Sequence, residues 1–320
     1  MPSQPTKQSP VEPWSTLHPV SPEDGAAVAA LRKMVEPQKG MLQGIAARQP
    51  FDDIMAHVPS AQGVVYEADT VGGVSGFWCR PPNARPKQAL LYLHGGWYVW
   101  GSARAYRNFV GQFAVRAGAA AFIPDYRLAP EHPFPAAVLD VQACYRGLVE
   151  RGTQRIALVG DSAGGGLALA LLSLTTSEAS GGALPVGAVA LSPVTDLTLA
   201  GASWESRAKA ELYFTRPQAA ALRDAYLSGH EAQDPRASPL FGSFVGLPPI
   251  RVHVGDAELL LDDSRRYVER AAAAGVDARL DVWQEMPHVF PSAIGQFAAA
   301  EKAMSAIGPF LVERFRADAS

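Results

Sequence analysis

From Gly63 to the C-terminal region, short apolar runs alternate with stretches of helical periodicity, and few folds accept such a rhythm. The strand candidates cover residues 64–68, 74–78, 89–93, 119–123, 155–159, 186–191, 250–254 and 278–283. The helical candidates cover about 105–117, 136–151, 164–175, 264–274 and 293–316. The first two runs flank Val71-Gly72-Gly73 and read as a hairpin at a sheet edge. Strict strand–helix alternation follows. It predicts a mostly parallel, eight-stranded sheet, because parallel neighbours need long crossovers and those crossovers cover both faces. In such sheets the chemistry lies at the carboxyl ends of the strands.

Two stretches fall outside the rhythm. Residues 1 to about 20 are rich in Pro, Ser and Gln and are expected to trail as a loosely docked arm. Ser21-Pro22-Glu23-Asp24 then reads as an N-cap, a first-turn proline and first-turn acids ahead of a helix over 26–34. A second helical pattern covers about 39–48, and 51–57 adds a short apolar segment. Between Ser192 and Pro249 the chain carries 203–210, a helix opened by Arg216-Pro217-Gln218, and a polar loop over 229–239. That interval is too long for a crossover and reads as a helical insertion over the site, forming a two-part lid with the N-terminal helices. The expected division is an arm with cap helices over 1–60 and a catalytic domain over 61–320, with a cap insertion at about 200–240.

Composition narrows the function classes. At 320 residues, with 48% hydrophobic and 18% charged, the chain can bury a full core. Its net charge of −3 and lack of a dense Lys/Arg run argue against nucleic acid as a partner. The two cysteines, Cys79 and Cys144, lack metal-ligand spacing, so neither a disulfide framework nor a zinc site is expected. No secretory signal core and no apolar run of about 18 residues is present, which predicts a cytoplasmic protein without a membrane span.

The chemistry begins at Gly160-Asp161-Ser162-Ala163-Gly164, placed where an apolar run meets an Ala/Leu-rich helical stretch. A serine between glycines at a strand-to-helix turn is held with its hydroxyl exposed, and neighbours with a Cβ would collide with strand and helix. Upstream, His94-Gly95-Gly96-Trp97 follows the run 89–93. Glycines there expose backbone N–H donors, which acyl transfer needs because charge develops on the carbonyl oxygen. Gly95, Gly96 and the N–H of Ala163 are the expected oxyanion hole. Downstream, His288 sits in a loop after the last strand candidate, at the same sheet end as Ser162, and suits a general base. An acid must hold its Nδ1. The segment 254–263 holds four carboxylates. Asp262 and Asp263 read as charges at a helix start, which leaves Asp256 and Glu258 open.

Four ordered motifs carry a resemblance: His94-Gly95-Gly96-Trp97, the run from Asp125-Tyr126-Arg127-Leu128-Ala129-Pro130 to Ala136, Gly160-Asp161-Ser162-Ala163-Gly164-Gly165, and Pro287-His288-Val289-Phe290. Together they resemble the bacterial hormone-sensitive-lipase family of esterases over about residues 64–316. The resemblance implies an α/β-hydrolase fold with a helical cap, a Ser-acid-His triad in chain order, and hydrolysis of carboxylic esters with short acyl chains. Two departures stand out. Trp97 occupies the fourth place of the family's His-Gly-Gly-Gly and puts a bulky ring near the acyl pocket. Glu258-Leu259-Leu260-Leu261-Asp262 replaces the usual Asp-Pro-Leu-x-Asp, and alignment on that pattern puts the catalytic acid at Glu258 rather than Asp256.

The expected reaction is ester hydrolysis through an acyl-enzyme on Ser162, with His288 and Glu258, on short- to medium-chain acyl esters and without cofactor or metal. Trp97, Tyr98 and Phe214 are the pocket candidates. Asp161, Tyr126 and Arg127 are expected to brace the elbow and oxyanion loop, and Asp196 to be a turn residue. The expected partner is a small-molecule ester, with a second copy of the chain as the one protein partner considered. The rivals are a deacetylase or lactone hydrolase of a secondary-metabolite pathway, and a non-catalytic receptor on the same fold. The receptor reading fits poorly with a retained His288.

Overall fold

The computed structural model describes residues 12–177 and 184–317. Among them, nine strands form one sheet: β1 (Ser15–His18), β2 (Val65–Val71), β3 (Val74–Arg80), β4 (Gln88–Leu93), β5 (Ala120–Pro124), β6 (Arg155–Asp161), β7 (Gly187–Leu191), β8 (Ile250–Gly255) and β9 (Ala278–Trp283). Their order is β1-β9-β8-β7-β6-β4-β5-β3-β2. The β2–β3 and β3–β5 pairs are antiparallel, and every other pair is parallel. Helices α1 (Pro22–Val35), α2 (Arg48–Ala56), α3 (Ala103–Ala117), α4 (Ala136–Glu150), α5 (Ser162–Ser177), α6 (Ser203–Ser206), α7 (Arg216–Leu227), α8 (Leu261–Ala273) and α9 (Ala298–Arg316) complete an α/β-hydrolase fold with a helical cap.

Both sheet faces are buried. Along β4, Ala89, Leu91 and Leu93 join one core while Leu90 and Tyr92 join another, and β6 repeats the split with Ile156 and Leu158 against Ala157 and Val159. Side chains of α4, α5 and α8, including Val141, Leu169 and Val268, complete the first core. Those of α3 and α9, including Phe109, Phe113 and Leu311, complete the second. Each such aliphatic side chain contributes roughly 1.5–3 kcal/mol on burial, so the central strands are a rigid base for the loops at their ends. No helix among the described residues is long and apolar enough to cross a membrane.

The sheet has one strand more than expected. Ser15–His18, assigned by sequence to a trailing arm, pairs in parallel with the edge strand β9, from Ser15 opposite Leu280 to His18 opposite Trp283. Its four residues are too few to show alternation. The side chain of His18 supplies the anchor: Nε2 lies 2.6 Å from Asp281 Oδ1, and the ring stacks on Trp283 at 3.9 Å. The remainder of the predicted arm, residues 1–11, lies outside the described residues.

The N-terminal helical readings are mixed. Ser21 caps α1 by accepting the Asp24 N–H at 3.1 Å, as expected. The pattern over 39–48 is not a helix, because Gly40 and Gly44 adopt positive φ (74° and 54°) and leave only a 3-10 turn over Ile45–Ala47. Its backbone bonds outward instead: Gly40 N–H donates to Tyr213 O at 3.1 Å, and Gly44 O accepts from Trp100 Nε1 at 2.8 Å. The helix predicted from 293 starts only at Ala298, where Asp24 caps it from α1; Oδ1 accepts Ala298 N–H at 2.7 Å and Oδ2 accepts Ala299 N–H at 3.0 Å. In the insertion, α7 opens on a capping box between Thr215 and Gln218.

Candidate active site

The elbow joins β6 directly to α5. Ser162 holds φ at +53°, a conformation that costs an L-residue roughly 1–2 kcal/mol. Close backbone approach explains its flanking glycines: a Cβ on Gly160 would lie 2.3 Å from Gly164 O, and one on Gly164 2.1 Å from Leu93 O. The turn therefore sets Ser162 at the first position of α5, with the Ala163 N–H at the positive end of that helix.

His288 and Glu258 arrive from the loops after β9 and β8. His288 Nε2 lies 3.0 Å from Ser162 Oγ, and its Nδ1 lies 2.6 Å from Glu258 Oε2. Glu258 is fully buried, and its other oxygen accepts the Ser192 hydroxyl at 2.7 Å and the Gly255 N–H at 2.8 Å. Ser192 Oγ in turn accepts the Val289 N–H at 3.0 Å, so one serine after β7 links the acid to the histidine loop. Burial pulls the His288 pKa down, but the charges of Glu258, Glu211 and Asp161 outweigh it and leave the imidazole above its ordinary value. Asp256 does something else: its Oδ1 accepts the Glu285 N–H at 2.7 Å and closes the turn after β9.

Asp161 braces the oxyanion loop. Its Oδ1 accepts from Tyr92 OH at 2.9 Å and from Gly95 N–H at 3.1 Å, and its Oδ2 accepts from Tyr106 OH at 3.0 Å. Burial pushes its carboxyl up to about 6 against those bonds. The Gly95 N–H is thereby occupied, which corrects the expectation that it faces the oxyanion. The N–H groups of Gly96 and Trp97 have no backbone acceptor among the described residues. Gly96, at φ +111°, could not carry a Cβ, which would meet Trp100 O at 2.4 Å. Tyr126 supports the same loop through OH donation to His94 O at 2.7 Å and ring stacking on His94 at 4.3 Å. Arg127, grouped with it by sequence, pairs instead with Asp140 of α4 at 2.7 Å.

Of the pocket candidates, two reach the site. The Trp97 ring is 5.6 Å from Phe214 and 6.3 Å from Trp204, and Phe214 stands edge-on to His288 at 5.1 Å. Tyr98 does not join them. It stacks on Tyr226 at 3.8 Å and is 1% exposed, so its ring is packing.

The acidic pair falls in the first turn of α8, as the sequence reading has it, and makes further bonds there. Asp263 is fully buried and accepts the N–H groups of Thr195 and Asp196 at 3.0 and 3.1 Å, with burial pushing its pKa up to about 8. Asp262 accepts the Ser203 N–H at 2.8 Å, because α8 begins at Leu261, earlier than the predicted start. Asp196 does shape a turn, accepting Thr198 N–H at 2.9 Å, yet it is also buried against Arg266 at 2.6 Å.

Sequence reasoning missed Ser192 as a link and Glu211 altogether. Ser192-Pro193 at a strand end was the only available signal for the first; Glu211 sits in an irregular cap segment without a motif. No group of three or more His, Cys, Asp or Glu able to hold a metal exists among the described residues.

Residues 90–292 match the family model for the alpha/beta hydrolase fold. The chain is 39% identical over 244 residues to an acetyl-hydrolase of Streptomyces hygroscopicus, covering 76% of this chain and 81% of that protein. It is 33% identical over 268 residues to an esterase of Acinetobacter venetianus, covering 83% and 88%. Its structure is similar to that of an esterase from the bacterial hormone-sensitive lipase family, with a TM-score of 0.84, 39% identity, and coverage of 92% of this chain and 98% of the other.

Proposed function

Because the chain belongs to the bacterial hormone-sensitive-lipase family of α/β-hydrolases and is a serine-type carboxylic ester hydrolase, we propose that Ser162, His288 and Glu258 form its triad and that it prefers short acyl groups. The observation that carries this reading is the unbroken relay from Glu258 Oε2 to His288 Nδ1 at 2.6 Å and from His288 Nε2 to Ser162 Oγ at 3.0 Å.

In the proposed cycle Ser162 Oγ attacks the ester carbonyl and its proton passes to His288 Nε2. Glu258 holds the Nδ1 proton and stabilises the imidazolium. The N–H groups of Gly96, Trp97 and Ala163 receive the developing oxyanion, each such donor contributing about 2.7–4 kcal/mol in the transition state. His288 returns its proton to the leaving alcohol. It then takes a proton from water, whose attack releases the acid and regenerates Ser162.

The short-acyl preference rests on Trp97, Trp204 and Phe214. These rings pack on one another at 5.6–6.3 Å with Phe214 against His288, a wall that favours a short acyl chain, and the acetyl-hydrolase relative fits that reading. Deacetylation is accordingly the favoured form of the reaction. Ser162→Ala is expected to lower release of p-nitrophenol from p-nitrophenyl acetate by about 10⁴-fold or more, with an unchanged circular dichroism spectrum. Substantial turnover by that folded variant would overturn the assignment.

A further inference from the structure

A second buried carboxylate lies against the loop that carries the proposed acid. Glu211 lies in the segment between α6 and α7 and is 1% exposed. Its Oε1 accepts the Tyr213 N–H at 2.8 Å, and its Oε2 accepts, at 3.2 Å, the N–H of Leu259, the residue after the proposed acid. Two cations hold this segment by its carbonyls and not by the carboxylate. Arg32 at the end of α1 donates to Ala210 O at 2.6 Å and to Lys209 O at 3.1 Å, while Lys39 Nζ donates to Ala208 O at 2.8 Å and to Glu211 O at 2.7 Å. The N-terminal segment thus fixes where Glu211 sits.

Burying an ionised carboxylate costs several kcal/mol unless hydrogen bonds and an opposite charge offset it. Two backbone N–H groups offset part. The charges that act on Glu211 are those of His288, which favours the carboxylate, and Glu258, which opposes it. His288 becomes a cation twice per turnover, once in acylation and once in deacylation. We propose that Glu211 is a positioning residue: it fixes the acid loop through Leu259 and, acting across space, favours the imidazolium that forms on His288. The carboxylates whose charge acts on His288 are then Glu258 from the loop after β8, Glu211 from the segment between α6 and α7, and Asp161 from the elbow. Tyr213 beside Glu211 is 39% exposed as a residue, while its hydroxyl is pushed further toward the neutral form by burial and by the two glutamates.

A turn-closing role alone would make the same two backbone bonds, so the test must read charge. Carboxylates near His288 favour its protonated form and hold the ascending limb of the kcat/KM profile at higher pH. Glu211→Gln keeps the size and removes the charge. With p-nitrophenyl acetate, its ascending limb is expected to move to lower pH by about half a unit or more, with kcat reduced about tenfold and KM changed less than about twofold. Glu211→Asp, which keeps a charge slightly withdrawn, moves the limb in the same direction by less than half as much.

A Glu211→Gln limb that coincides with the wild type, whatever the fall in rate or melting temperature, overturns the proposal. Should that variant not fold, Glu211→Asp decides alone: a limb displaced downward supports the proposal, and one that coincides with the wild type overturns it. The inference rests on the triad proposed above, whose own failure would show in turnover by Ser162→Ala, a separate readout.

Discussion

At the floor of the site, the proposed acid and the brace of the oxyanion loop lie at or just beyond strand ends and are held by several buried hydrogen bonds each. Glu258 takes three partners, and Asp161 takes three. In the cap above it, positions are set by long cationic side chains reaching carbonyls and by ring contacts. Arg48 is typical, donating to Val99 O at 2.8 Å and Ala129 O at 3.0 Å while pairing with Glu131 at the surface. The floor has few ways to rearrange, since each change strands a buried donor or acceptor. The cap can repack. Substitutions in the floor should therefore change rate, and substitutions in the cap should change which ester is accepted.

The sharpest attempt to break that contrast is Glu258→Gln. With the imidazole no longer held in the right tautomer, kcat is expected to fall by about 10³–10⁴-fold, while Asp256→Asn, one turn away, stays within about twofold of wild type in the same assay. The reverse pattern would move the acid to Asp256 and undo the floor as described.

Next comes Asp161→Ala, which leaves Tyr92 OH, Tyr106 OH and Gly95 N–H without an acceptor. A loss of about 100-fold in kcat through the displaced oxyanion loop should accompany a stability loss of about 3 kcal/mol or more, read from the denaturant midpoint. A stable variant with normal kcat would show that the loop holds itself.

Trp97→Gly probes the boundary between floor and cap. Trp97 holds φ at +55°, a position where glycine is unstrained. Removing the ring should raise the kcat/KM for p-nitrophenyl hexanoate relative to the acetate by about tenfold, measured across an acyl series. An unchanged acyl profile would separate the aromatic wall from substrate choice.

The smallest effect is expected far from the site. His18→Ala loses the contact to Asp281 and the stacking on Trp283, and should cost about 1 kcal/mol of stability with no change in acyl preference. A changed preference would mean that the β1 edge communicates with the pocket.

What the sequence could reveal divides along the same line. The strands after Gly63 were legible because burial on both faces forces apolar runs, and Ser162 and His288 because their turns have compositional signatures. Loop position alone left Asp256 and Glu258 open, and only the family pattern pointed to Glu258. The occupied Gly95 N–H was not, because the acceptor comes from Asp161, remote in sequence. Glu211 and Ser192 act through contacts with residues 48 and 66 positions away, and no local pattern encodes such a distance. The 39–48 helix failed for a different reason: its apolar spacing suited a helix, but two glycines turned its backbone, and the Tyr213 carbonyl and Trp100 indole N–H offered it other bonds.

The bond from Asp24 to the start of α9 has a consequence for how the molecule is made. A helix synthesised early supplies the cap for one that begins 274 residues after the capping side chain, and β1 likewise waits for β9. On the ribosome, where chains emerge in order, α1 cannot make its bonds to α9 until residues 298 and 299 have been translated. Arg32 lies on that helix, so the helix that holds the segment bearing Glu211 reaches its final seat only after β9 and α9 have emerged.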